Sequence, residues 1–113
     1  MTQDKTGAET TVTAGKNQFT VEVDGRQVGV ADYVDHDGQR IFHHTEVDNA
    51  FEGRGLASIM VGESLAATRD AGLRIVAVCP MVAKYIEKHP EFQNVADPVS
   101  ADTERYLQQV LSS

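Results

Sequence analysis

The chain reads as an α/β protein with a mixed sheet, an antiparallel three-strand meander followed by a βαβ unit. Three observations predict this. Alternating apolar and polar runs are separated by the turn signals Asp24-Gly25 and His36-Asp37-Gly38, and such short turns force neighbouring antiparallel strands. A glycine-bracketed loop, Glu52-Gly53-Arg54-Gly55, then opens a proline-free stretch with helical spacing. Finally, Leu73-Arg74-Ile75-Val76-Ala77-Val78 is a nearly continuous apolar run, as expected of a strand buried on both faces beside a parallel neighbour.

Residues 1–17, from Met1 to Asn17, are rich in Thr, Gly, Ala, Gln and charge, with Val12 the only sizeable apolar group after Met1. They are expected to form a disordered tail, which leaves residues 18–113 as a single domain. Phe19-Thr20-Val21-Glu22-Val23 alternates and ends at Asp24-Gly25, so it is the first strand. Residues 27–35 make the second strand and residues 39–47 the third. The helix expected over residues 55–70 carries Leu56, Ile59, Met60 and Ala67 on one face, extended sideways by Ala57, Val61 and Leu65. Ala71-Gly72 ends it. The crossover from the third strand through this helix to residues 73–78 is right-handed by the usual rule. Cys79-Pro80 breaks that strand, residues 81–88 form a shorter helix, and His89-Pro90 stops it. Phe92 returns to the core. Asp97-Pro98 and Asp102-Thr103-Glu104 open a last helix that docks through Tyr106, Leu107, Val110 and Leu111.

Composition narrows the function. At 113 residues the chain supports one core. Its net charge of −7 argues against nucleic acid, whose phosphates select basic surfaces. One cysteine excludes an internal disulfide and a cysteine-based zinc site. There is no apolar run of membrane-spanning length and no signal-peptide core. A cytoplasmic setting without membrane partners is the expectation.

The loop at residues 52–57 is the informative stretch. Strand, glycine-rich turn and helix together aim free backbone N–H groups and a positive helix end at an anion, usually a phosphate. Many such loops merely turn the chain. The Walker pattern is absent, and Ser58 stands where the dinucleotide fingerprint would need its third small residue. Spacing alone leaves the phosphate cradle and the structural turn equally open.

Five segments, in order, carry a resemblance over roughly residues 19–92. They are Gly29-Val30-Ala31-Asp32-Tyr33, His44-Thr45-Glu46-Val47, Glu52-Gly53-Arg54-Gly55-Leu56-Ala57, Cys79-Pro80 and Tyr85-Ile86-Glu87-Lys88-His89-Pro90-Glu91-Phe92. Together they resemble the Gcn5-related N-acetyltransferases, GNAT, and within them the small YjdJ-type branch. The family's acetyl-CoA loop follows Gln/Arg-x-x-Gly-x-Gly/Ala; Gly55 and Ala57 fit it, while Glu52 replaces the usual Gln or Arg. The resemblance implies a GNAT-like fold, here lacking the helices between the first two strands because Asp24-Gly25 leaves no room for them. It implies acetyl-CoA as co-substrate, an amine acceptor and no metal.

Roles follow from the same resemblance. Thr45 and Val47, at the end of the strand before the loop, would offer backbone donors to pantetheine and the acetyl carbonyl, provided a bulge frees them. Glu52, Gly53, Arg54, Gly55, Leu56 and Ala57 would hold the diphosphate, with Arg54 adding charge and Lys84 or Lys88 reaching the 3′-phosphate. These lysines also read as ordinary solvated residues. Glu46 is the first choice for the base that takes the amine's proton, if partial burial raises its pKa; the other reading is a solvated strand-end carboxylate. His44, two residues from Glu46, is a candidate proton relay, whereas His43 reads as structural. Cys79 either lines the pantetheine channel or accepts acetyl covalently. Tyr85 is the candidate acid for the leaving thiolate. It stands one place earlier than usual, which turns a helical side chain by about 100° and leaves packing against the sheet as the alternative. The expected function is therefore acetyl transfer to a primary amine in a ternary complex, the alternative being a CoA-binding sensor or interaction module.

Overall fold

The computed structural model describes residues 2–4 and 6–112. Seven strands form one mixed sheet in sequential order among these residues: β1 (Thr2–Gln3), β2 (Glu9–Gly15), β3 (Gln18–Val23), β4 (Arg26–His36), β5 (Gln39–Val47), β6 (Arg74–Ala77) and β7 (Ala96–Asp97). Pairing is antiparallel from β1 to β5 and parallel for β5–β6 and β6–β7. The helices are α1 (Leu56–Asp70), α2 (Pro80–Lys88) and α3 (Ala101–Leu111), with 3₁₀ turns at Asn49–Phe51 and Pro90–Val95.

The N-terminal expectation is corrected. Where a disordered tail was expected, β2 pairs with β3 from Thr10↔Val23 to Gly15↔Gln18. The scarcity of large apolar groups concealed a run of β-branched residues, Thr10 to Thr13, which suits a pleated, half-buried strand. Thr10 is buried and Val12 packs on the core. The meander thus gains β2 and the two-residue β1 ahead of the three expected strands. Met1 and Lys5 lie outside the described residues. Every antiparallel connection from β2 to β5 is a tight turn, and Asn17, Asp24 and Asp37 take positive φ there. Among the described residues no helix separates these strands, and the whole is a mixed α/β architecture.

The sheet buries its two faces against different helices. On one, α1 and α2 cover Phe19, Val21, Ala31, Tyr33, Phe42 and Ile75. On the other, α3 brings Leu107 onto Val34, Ile41 and Val76, with Ser100 and Thr103 forming a reciprocal cap at its start. The buried stripe of α1 is Leu56, Met60, Val61, Ser64, Leu65 and Thr68. Ala67, expected inside, is exposed, and two hydroxyls take its place. They are tolerated because Ser64 Oγ donates to Met60 O at 2.6 Å and Thr68 Oγ1 to Ser64 O at 2.8 Å. Gly72, at φ 78°, closes the helix, and Leu73 N returns to Thr68 O at 3.1 Å.

Candidate active site

Two strand irregularities make the site. The register of β4 with β5 runs Tyr33↔Phe42 and then Asp32↔His44, so His43 is an extra residue and β5 is bulged there. Because Tyr33 and Asp32 face opposite sides of the sheet, Phe42 and His44 do too, and alternation is inverted beyond the bulge. Thr45 and Val47 consequently share the α1 face with Ala31, while His44 and Glu46 take the other side. The second irregularity is a splay. Pairing of β5 with β6 stops at Phe42↔Ala77. Phe42 O then accepts both Val78 N at 3.0 Å and Cys79 N at 2.9 Å, and Pro80, with no N–H, turns the chain into α2.

The remaining length of β5 has a free edge. Asp48 N donates to Val28 O at 2.7 Å, towards β4. Alternate N–H groups point to opposite edges of a strand, so those of Thr45 and Val47 point into the splay. Across it, Thr45 Oγ1 lies 3.3 Å from Cys79 Sγ and donates to Met81 Sδ at 3.2 Å. Cys79 is buried at the head of α2.

The loop completes the wall. Asp48 caps the 3₁₀ turn, accepting from Ala50 N at 3.0 Å. Gly53 and Gly55 follow in the left-handed region at φ 78° and 77°, and Gly55 is the N-cap of α1 without any side-chain capping bond. Among the described residues, no acceptor meets the N–H groups of Gly53, Arg54, Gly55, Leu56, Ala57 or Ser58; the first helical bond at this end is Ile59 N to Gly55 O. Bare amides therefore run from Gly53 into the first turn of α1, the positive end of a fifteen-residue helix. The residues that carry them, Arg54 excepted, line a cleft of about 370 Å³ that reaches from Gly53, Gly55 and Ser58 to Thr45, Val47 and Met81. Leu56, Ala57, Glu52 and Glu46 also line it. A second groove, about 200 Å³, continues it between α1 and α2 past Lys84, Tyr85, Lys88 and His89, sharing Ala57, Ser58 and Met81 with the first.

Three candidates stand elsewhere than expected. Arg54 does not line the cleft: its Nε donates to Asp4 Oδ2 at 2.7 Å and its guanidinium lies 4.8 Å from the Phe51 ring centre. Its charge is already neutralised, so it is no free phosphate ligand. Tyr85 lies in the α1–α2 groove rather than beside Thr45. Its hydroxyl abuts Gly62, where a methyl group would overlap it, and its ring stacks on His89 at 3.8 Å. Its position on α2 sets it against α1. Burial, and then the nearby Glu91 charge, push its phenol above the ordinary value. Glu46 is exposed rather than partly buried. It lines the main cleft and also a hollow of about 340 Å³ behind β5, bounded by Gly29, Val30, Asp48 and Asn49.

His44 is exposed opposite Asp32. His43, at the bulge, has its pKa lowered by burial, against an upward pull from Asp32. Met81, Phe51 and Ser58 were missed in the sequence. Met81 is a large apolar residue left 41% exposed at the start of α2. Away from the cleft, His36, Asp37 and Asp102 bring ligand atoms within 4.8 Å of one another. They are surface groups paired in turn and helix cap, with His36 stacked on Tyr106 at 3.8 Å.

The cleft has bare amides at one end and a free strand edge at the other, with the buried Cys79 thiol beside Thr45 across the splay. Residues 18–95 match the profile of the family described as GCN5-related N-acetyl-transferase. The chain belongs to that family. Its similarity extends to Protein NATD1 of Gallus gallus, 34% identical over 80 residues that make up 66% of this chain and 70% of that protein. Protein NATD1 of Homo sapiens is likewise 34% identical over 80 residues, 66% of this chain and 68% of its own length. The solution structure of a GCN5-like protein from Staphylococcus aureus superposes with a TM-score of 0.61 at 20% identity, covering 80% of this chain and 91% of that one. This GNAT chain and that structure share the fold.

Proposed function

We propose that the protein is an acetyl-CoA-dependent N-acetyltransferase acting on a primary amine by direct attack in a ternary complex. The observation that carries this reading is the run of unpaired amides from Gly53 into the first turn of α1, on residues that, Arg54 excepted, line the same cleft as Thr45 and Val47 of β5. In this reading the amides of Gly53 to Ser58 take the diphosphate. Pantetheine threads the splay between Thr45–Val47 and Cys79, and the N–H groups of β5 polarise the acetyl carbonyl. Lys84 and Lys88, in the continuing groove, serve the 3′-phosphate end.

The amine nitrogen attacks the thioester carbon, the C–S bond breaks, and CoA leaves as a thiolate that takes up a proton. Glu46 reaches the hollow behind β5 as well as the cleft, and there it accepts the amine's proton, directly or through water. His44 lies on the same side and relays it outward. Cys79 lines the channel. Residues 18–113 carry the functional domain, and β1 and β2 extend its sheet; in this reading it works in the cytoplasm without a nucleic-acid or membrane partner.

A second reading, a CoA-binding sensor or interaction module, is favoured by one observation: Tyr85 lies in the α1–α2 groove with its hydroxyl close to Gly62 and does not line the cleft with Thr45. Thiol release from acetyl-CoA across an amine panel, with Glu46→Gln alongside, separates the two. The enzyme reading predicts amine-dependent release that falls about a hundredfold in Glu46→Gln. Tight CoA binding with no release from any amine supports the module instead.

A further inference from the structure

The N-terminal hairpin reaches the cofactor loop. The Asp4 side chain is 0% exposed and every contact it makes is specific. Its Oδ1 accepts from Thr6 N at 2.8 Å, Thr6 Oγ1 at 2.6 Å and Ala8 N at 3.1 Å. Its Oδ2 accepts from Arg54 Nε at 2.7 Å, and Arg54 Nη2 also donates to Thr6 Oγ1 at 3.0 Å. Asp4 N and O are bonded as well, to Ala8 O at 3.1 Å and Gly7 N at 3.0 Å, so the carboxylate is carried on a locked turn.

This contact, fifty residues distant in sequence, ends on the single residue between Gly53 and Gly55. Glycine loses more conformational freedom on ordering than any other residue. A loop with two left-handed glycines and six amides lacking internal partners has little of its own to hold it. Arg54 is its side-chain tether, fixed by Asp4 and Thr6 and laid over Phe51.

We propose that Asp4 is a positioning residue for the cofactor: by fixing Arg54 it sets the amides of residues 53–58 in their diphosphate-binding arrangement before the ligand arrives. The inference rests on the reading that this loop takes the diphosphate of CoA. Pre-organisation lowers the ordering cost that binding would otherwise carry, so its loss appears in affinity and in loop order, with the sheet unchanged.

The test uses the full chain, CoA as the probe, and the variants Asp4→Asn and Arg54→Gln. Calorimetry gives the CoA Kd, and ¹⁵N relaxation gives backbone order parameters at residues 53–55 and across the sheet. The expected result is a Kd raised about tenfold in each variant. The order parameters of residues 53–55 fall below about 0.6 while those of β3, β4 and β5 stay near 0.85. The double variant is no weaker than either single one, because both break the same link. CoA binding to the unaltered protein with Kd or loop order unchanged in the variants overturns the inference and leaves the binding site standing. Order lost evenly across the sheet also overturns it, since the pair is then a general stabiliser. Failure of the unaltered protein to bind CoA overturns both. Arg54→Gln, which leaves the N-terminal turn intact, decides the matter if Asp4→Asn does not fold.

Discussion

An added negative charge at Ser58 should move stability and cofactor binding in opposite directions. Ser58 is exposed, occupies the third position of α1 and lines the cleft beside Gly55. α1 has no acidic residue in its first turn and no side-chain cap. Ser58→Asp therefore places a carboxylate at a positive helix end, a change worth about 0.3–1 kcal/mol in favour of the folded state. The same carboxylate would face the proposed diphosphate. Two unit charges 4 Å apart in water repel by about 1 kcal/mol, and rather less at slightly larger separations. Two phosphate charges thus cost roughly 1.5 kcal/mol, about a tenfold loss in affinity. Thermal unfolding should show Tm unchanged or raised by a few degrees, while calorimetry shows CoA binding weakened about tenfold. The loss should shrink in 1 M salt, where the screening length is about 3 Å. Unchanged CoA affinity in Ser58→Asp would refute the placement of the diphosphate, whatever happened to Tm.

Other outcomes follow from the same geometry. Tyr85→Phe should leave acetyl transfer within about twofold, because the hydroxyl rests on Gly62; a loss of the 10²–10⁴-fold size of a general acid in thiol release would return Tyr85 to the mechanism. Cys79→Ser should keep most of the turnover, with no acetylated enzyme in the mass spectrum of the unaltered protein; abolished transfer together with acetyl on Cys79 would establish the covalent route. Hydrogen bonds from the Thr6 hydroxyl, then from the Thr6 and Ala8 amides and from Arg54, outweigh burial and hold the Asp4 pKa at about 2, below the ordinary 3.8. A carboxyl depressed in the folded state adds stability above its unfolded pKa and loses it as pH falls. Denaturant unfolding should therefore show stability dropping between about pH 4 and pH 2, with a shallower drop in Asp4→Asn. An equal slope in both proteins would contradict the assignment.

The meander and the βαβ unit were legible because their signals are local. Asp24-Gly25 and Asp37-Gly38 mark turns within a few residues, and β5 occurs at Gln39–Val47 as its pattern implied. The β2 strand was missed because threonines and one valine suit a pleated edge without looking like a core. At α1, Ala67 and Thr68 exchanged places, since the buried hydroxyl satisfies itself on the preceding turn. The glycine loop was readable as a cradle or a turn, and that its amides lack internal acceptors among the described residues is a three-dimensional fact. The bulge at His43 leaves no mark in the residue pattern, although it decides that Thr45 and Val47, not Glu46, face α1. Arg54 looked like a phosphate ligand because its partner Asp4 lies in a segment with no visible structure of its own. Tyr85 turned on a one-residue offset, and that offset was legible.

The account stands on the amides of residues 53–58 receiving the cofactor's diphosphate. A ¹H–¹⁵N titration of the full chain with CoA tests this directly, using pantetheine, which lacks the diphosphate, as the control. The prediction is large, saturable shifts at Gly53, Gly55, Leu56, Ala57 and Ser58 with CoA that pantetheine does not reproduce. Shifts confined to Thr45, Val47 and Cys79, or no shifts at the loop at saturating CoA, would contradict it.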